Sequence, residues 1–320
     1  MKKLAVIGAS YLQLPLIERA KELHIETHVF AWKANDVGEK AADFFYPVSI
    51  VEKEEILKKC MEIQIDGICS IASDLGIITV NYVAEAMGLC GNSMESTYRC
   101  TNKHMMRLAL SQGGDPSPKS TLVDRHTDLF KLRLSYPIIV KPTDRSGSRG
   151  ICKLSDGSNL KQAVDHALEE SFEKKAVIEE YVEGKEYSVE YISFCGNHHY
   201  LAVTEKFTTG EPHFIETGHM EPARLNEGMI DKIKKIVEHA LDSLHITSGA
   251  SHTEIKIDKL GRITIIEIGA RMGGDCIGSD LVRYSTGIDF VRAVIQVALG
   301  QPPDLTVTRS PESVRLSKQD

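Results

Sequence analysis

The sequence predicts an α/β fold, and three observations carry that reading. Residues 3–8, 27–31 and 67–71 are short apolar runs separated by amphipathic stretches, the alternation of a parallel doubly wound sheet. A breaker run, Gly113-Gly-Asp-Pro-Ser-Pro118, closes that first third of the chain. Beyond it strand patterns outnumber helical ones, so a mixed and more β-rich part follows.

Residues 3–8 open the chain as a strand. Their apolar stretch is too short for a secretory signal and runs into the helical pattern of residues 12–23. Helical periodicity at 52–63 and 75–87 flanks the strand at 67–71, and a helix over 102–110 precedes the breaker run. A small α/β unit follows, with a strand ending at Lys141, a helix over 160–172 and a strand over 176–181. Strands are then expected at 187–194, 199–207, 213–220, 253–258 and 262–268, covered by helices at 229–244 and 287–299. The tail, 306–320, is polar, lacks a cap and reads as disorder or a cut edge. The expected units are therefore 1–115, 116–183 and 184–320.

Composition narrows the function. With 320 residues, 42% hydrophobic and 26% charged, the chain suits a soluble protein of two or three subdomains. A net charge of −7 argues against nucleic acid as the main partner. No apolar run reaches the roughly 18 residues that span a bilayer. Seven scattered cysteines without a C-x-x-C pair fit reduced thiols in the cytoplasm. Twelve histidines without an H-x-x-x-H helix pattern speak against zinc. Gly8-Ala-Ser-Tyr-Leu-Gln13 is not G-x-G-x-x-G, and the second strand ends without a carboxylate, so a nicotinamide cofactor is disfavoured. Asp74 follows a strand at a loop and is a weaker candidate for a substrate half-site.

Two segments carry chemistry. In Tyr136-Pro-Ile-Ile-Val-Lys141-Pro-Thr-Asp-Arg-Ser-Gly-Ser-Arg-Gly150 a buried strand delivers a lysine into a Gly-Ser loop. Such a loop bends around an anion, with Lys141, Arg145 and Arg149 as sources of charge; an ordinary polar hairpin loop is the alternative. Downstream, His252-Thr-Glu-Ile-Lys-Ile-Asp258 and Ile263-Thr-Ile-Ile-Glu-Ile268 form a hairpin around Gly261. If Asp258 pairs with Ile263, Glu254 lies directly opposite Glu267, an unfavourable like-charge pair that a divalent cation would reverse. A different register would put the two on opposite faces. Gly269-Ala-Arg-Met-Gly-Gly-Asp275 then places Arg271 where it can clamp developing charge. Val177-Ile-Glu-Glu-Tyr-Val-Glu-Gly-Lys-Glu186 reads as a hinge whose backbone suits an adenine edge and whose Glu186 suits ribose hydroxyls, or else as a solvated acidic turn.

The order Lys103, Lys141 with its Gly-Ser loop, Glu179-Glu-Tyr-Val182, Glu186, Glu254, Glu267 and Arg271-Met-Gly-Gly274 resembles the ATP-grasp superfamily. Within it the chain looks most like carboxylate–amine ligases with a carbamoyl-phosphate-synthase-like ATP-binding half. The resemblance covers nearly the whole chain and implies a Rossmann-like N-terminal domain followed by two α+β subdomains that close on ATP. It implies that Lys103 and Lys141 bind the phosphates under a flap containing Ser146, Gly147, Ser148 and Gly150. It assigns adenine to the Glu179 side chain and the Glu180-Tyr181-Val182 backbone, and ribose to Glu186. Glu254 and Glu267 become ligands for magnesium, or manganese in its place, Arg271 the stabiliser of an acyl phosphate, and His219 a substrate-site candidate. The implied activity is ADP-forming ligation of a carboxylate to an amine, both small molecules, in a cytoplasmic protein without nucleic-acid or membrane partners and with a homodimer as a common assembly. The alternatives are a bicarbonate- or formate-activating enzyme, or a nucleotide-binding regulatory protein with weakened turnover. Two departures stand out: Gly269 replaces the usual metal-ligand asparagine, and Asn102 the usual aspartate before the lysine. Relatives also often extend past the last helix of this chain.

Overall fold

The computed structural model describes residues 1–209 and 216–317. Its first unit runs β1 (Lys3–Ile7), α1 (Leu14–Glu22), β2 (Glu26–Phe30), α2 (Val37–Ala41), β3 (Phe44–Tyr46), α3 (Lys53–Ile63), β4 (Gly67–Cys69) and α4 (Asp74–Met87). The four strands are parallel in the order β3-β2-β1-β4, as the alternating pattern requires. Because β1 lies between β2 and β4, the chain departs to opposite sides after them, and their carboxyl ends border a crevice. The Ser73 hydroxyl accepts from Gly76 N at 3.0 Å, starting α4 and fixing Asp74 in its first turn at that crevice.

Helices α5 (Met94–Thr101) and α6 (Lys103–Gly113) lead out of this unit. Asn102 caps α6, accepting from His104 N and Met105 N, so the aspartate-to-asparagine departure keeps the capping function. A second sheet follows: β5 (Ser120–Val123), β6 (Ile138–Pro142), β7 (Cys152–Leu154), α7 (Leu160–Glu170) and β8 (Ala176–Glu180), antiparallel in the order β5-β8-β6-β7. Ala163, Val164 and Ala167 of α7 pack on Val123, Val140 and Ile178 to give it a small core of its own.

The third unit contains β9 (Lys185–Phe194), β10 (Asn197–Thr208), β11 (Glu216–Glu221), α8 (Glu227–Ser243), β12 (Gly249–Ile257), β13 (Ile263–Gly269), α9 (Val282–Thr286), α10 (Phe290–Ala298) and β14 (Val314–Ser317). Its sheet order is β13-β12-β9-β10-β11-β14. Strand alternation divides its faces. Val189, Tyr191, Ile255 and Ile265 pack with Ile233, Val237 and Leu241 of α8, and with Met106 and Leu110 of α6. The opposite face presents Glu186, Glu190, His252 and Glu254. Farther along that side, Ile192 and Ala250 meet Phe290 and Val294 of α10, which in turn join the core of the first sheet at Leu4 and Val29.

The structure alters one expectation. The tail is not disordered up to residue 317: β14 pairs antiparallel with β11, with His219 opposite Leu316. The described part of the 213–220 strand begins at Glu216, and 213–215 lie outside the described residues. No helix among the described residues is long and apolar enough to cross a membrane.

Candidate active site

The hairpin of β12 and β13 aligns its glutamates by a route the turn alone does not give. At the turn the register is Ile257 opposite Ile263, because Asp258 N donates to Arg262 O and the Asp258 carboxylate accepts from Leu260 N and Arg262 N, which sets Asp258 opposite Arg262 instead of Ile263. Continued unchanged, that register would send Glu254 and Glu267 to opposite faces. A bulge intervenes between Glu254 and Ile255, with Ile266 as the extra residue, and brings Glu254 directly opposite Glu267. The bulged Ile266 carbonyl accepts from Arg107 Nη2 at 2.6 Å.

Lys103 joins this hairpin to the flap. Its ammonium donates to Glu267 Oε1 at 2.8 Å and to the Arg145 carbonyl at 2.8 Å. Burial works against its charge, but Glu267 and Asp74 outweigh it and hold its pKa above the ordinary value. The Lys103 amide also donates to Thr143 O, so the start of α6 is pinned to the end of β6. Ser146, Gly147, Ser148 and Arg149 are exposed, and Gly147, Ser148 and Gly150 all have positive φ. At Gly150 a Cβ would lie 2.8 Å from Pro142 Cγ, which reserves this bend for glycine. Arg145 stacks 4.4 Å over the Phe172 ring, and Asp144 accepts from the amides of Phe172 and Glu173, so the flap has a fixed root and an open tip. A cavity of about 260 Å³ opens beneath it, bordered by Asp74, Lys103, Ser146 and Glu267.

Lys141 lies in the same interior, but its partner is Glu179, at 3.1 Å. Glu179 also meets Arg107 Nε at 2.8 Å. Burial opposes ionisation of Glu179, yet the two cations bring its pKa down to about 2. Its side chain is therefore a buried counter-ion of Lys141 and Arg107. Glu180 is exposed beside Lys119. Tyr181 lies between Lys153 and Lys256, 3.9 and 4.9 Å from its ring, and the Val182 carbonyl accepts from Lys256. Gly184 lets this hinge touch β12, since a Cβ there would approach Ile257 O to 2.6 Å.

Arg271 is held bidentately by Asp74, at 2.8 and 3.3 Å, which brings the weaker candidate into the site. Gly273 N donates to Glu190, itself paired with His252. His219 is fully buried, with Nε2 3.5 Å from Glu216 and 3.8 Å from Asp275. Neither of its ring nitrogens has a hydrogen-bond partner among the described residues.

Sequence reasoning missed Arg107, Glu190, Glu216 and above all Lys206. The Lys206 ammonium lies 2.6 Å from Glu216, 2.8 Å from Glu254 and 3.4 Å from Glu186. A lysine inside the strand pattern Val203-Thr-Glu-Lys-Phe207 was the signal available. The donor set fits a divalent cation: two opposed carboxylates share one face, and the described ion pairs to both use Oε1. Gly269 adds no side-chain ligand.

A family model described as an ATP-grasp domain matches residues 134–280. The alanine–anticapsin ligase of Bacillus subtilis (strain 168) is 27% identical over 310 residues, covering 85% of this chain and 65% of that protein. The carbamoyl phosphate synthase large chain of Thermotoga neapolitana is 25% identical over 221 residues, 66% of this chain and 20% of the other. The chain thus spans less than two thirds of the length of these curated relatives. Among solved structures, an L-amino acid ligase from Bacillus licheniformis superposes with a TM-score of 0.82 at 30% identity, covering 93% of this chain and 74% of that one.

Proposed function

The chain belongs to the ATP-grasp family, and from that premise we propose that it is an ATP-dependent, ADP-forming ligase joining a carboxylate to an amine. One observation carries the reading: Lys103 bridges the Gly-Ser flap and the paired-glutamate hairpin, so the basic and acidic segments converge on one cavity. The names of two relatives, an alanine–anticapsin ligase and an L-amino acid ligase, favour an amino acid as one substrate.

In this reading the substrate carboxylate attacks the γ-phosphorus of ATP, the bond to the β,γ-bridging oxygen breaks, and ADP leaves. Lys103 and Lys141 neutralise charge on the transferring group, positioned by Glu267 and Glu179. Glu254 and Glu267 would hold magnesium, which supplies further positive charge to the phosphates. The amine then attacks the acyl phosphate, the new C–N bond replaces the C–O bond, and phosphate departs. Asp74 presents Arg271 to the tetrahedral oxyanion, and the flap keeps water from the acyl phosphate. Glu180, Val182 and Glu186 face the nucleoside, and His219, with Glu216 and Asp275, lines the substrate side.

The test is phosphate release from the full chain with ATP, magnesium and pairs of amino acids, with the product identified by mass spectrometry. Release that needs both a carboxylate and an amine supports the ligase. Release with bicarbonate alone favours bicarbonate activation, and nucleotide-induced thermal stabilisation without any ADP favours a regulatory protein.

A further inference from the structure

Three carboxylates, from β9, β11 and β12, surround the Lys206 ammonium on the face that carries Glu254. Resting on the nucleotide-binding reading above, we infer that Lys206 is a built-in cation that takes the place of the second metal ion, so that this site holds one divalent cation per nucleotide.

Two independent features support this. The first is the cluster itself. Oxygens of Glu186, Glu216 and Glu254 come close enough together to ligate one ion, and the ammonium lies within 3.4 Å of each. The Lys206 side chain is 2% exposed and comes from β10, so the ammonium is shielded from water where it meets the three carboxylates. Leaving the cluster would strand a desolvated ammonium without counter-ions, which is far costlier than keeping a metal ion in bulk water.

The second feature is at the other end of the hairpin. A Cβ on Gly269 would lie 3.2 Å from Asp74 Oδ1 and 3.3 Å from Arg271 Nε. The Asp74–Arg271 pair thus crowds the place from which a further ligand side chain would extend. One ligand position is missing, and each of the two opposed glutamates already neutralises an ammonium through Oε1, Glu254 that of Lys206 and Glu267 that of Lys103. The second oxygen of each then remains, which suffices for a single ion.

The charge logic predicts what removing the ammonium does. Lys206→Met keeps the length and apolar stem but leaves three close carboxylates uncompensated, and a second divalent cation becomes the cheapest remedy. The experiment counts Mn²⁺ bound to the full chain at saturating ADP, using electron paramagnetic resonance to read free Mn²⁺, with thermal shift as a separate report of nucleotide binding. The wild type should bind one Mn²⁺ per chain and Lys206→Met two. Two in the wild type, or one in both proteins, overturns the inference while leaving the ligase reading intact. Absence of any ADP-induced thermal shift rejects the nucleotide site, and this inference with it. The wild-type count needs no variant, so it decides the matter even where Lys206→Met does not fold.

Discussion

Glu179→Gln puts the buried charge cluster to a quantitative test. Glu179 is 1% exposed, between Lys141 at 3.1 Å and Arg107 at 2.8 Å. Its pKa falls from 4.5 to about 2, because the two cations outweigh burial. A gap of that size corresponds to about 3 kcal/mol in favour of the folded state at neutral pH. Removing one member of a buried ion pair costs about 3–5 kcal/mol by mutational precedent, so the two routes agree. At about 2–4 °C per kcal/mol, the variant should melt roughly 6–20 °C below wild type at neutral pH. The sign with pH follows from the unfolded carboxyl titrating near 4.5 and the folded one near about 2. Stabilisation is complete above the first value and is lost as pH falls toward the second. Glutamine has no such dependence, so the two melting curves should converge on acidification. Scanning fluorimetry at stepped pH measures both effects. A variant melting within about 2 °C of wild type at neutral pH, or a gap that stays constant down to about pH 3, would refute the argument.

Lys141→Ala and Glu267→Ala should each lower ADP release by at least about 10²-fold with the circular dichroism spectrum unchanged, and near-normal release from both rejects the site. His219→Asn should redistribute preference among the carboxylate and amine substrates; the same acceptor profile as wild type would dismiss His219 from the pocket. Glu221 is buried, with Thr204 Oγ1 and Ser285 Oγ at 2.5 Å, and burial pushes its carboxyl up to about 7. The folded protein therefore keeps a proton that the unfolded chain loses near 4.5, and it gives up about 3 kcal/mol as pH rises between those values. Glu221→Gln should flatten that decline, visible as a higher melting temperature than wild type at alkaline pH, and an identical pH profile would count against it.

Local periodicity made most of the fold legible. The amphipathic runs became α1, α3, α4 and α8, with boundaries within a few residues of those expected. Three short strands escaped, β3, β5 and β7, because three or four residues are too few to show alternation. β14 escaped because its Val314 and Leu316 find their partner only in β11, nearly a hundred positions earlier. The Glu254–Glu267 pairing was reached through an idealised turn, whereas the chain uses an Asx turn and a compensating bulge. Neither device is visible in hydrophobic pattern alone. The lysines and glutamates of the site could be picked out singly, but their pairing could not. Lys206 acquires its meaning from three other strands, and Arg107 from a carbonyl that only the bulge exposes.

The last helix has a consequence for dissecting the chain. Phe290, Val294 and Ile295 of α10 complete the apolar face formed by Leu4, Val6, Leu16 and Val29. Cutting after residue 115 would leave a greasy surface in place of an interior, and the separated fragment should self-associate instead of behaving as a free-standing module. Beginning and end of the polypeptide clasp each other, whereas the middle sheet, with α7, has an apolar core of its own.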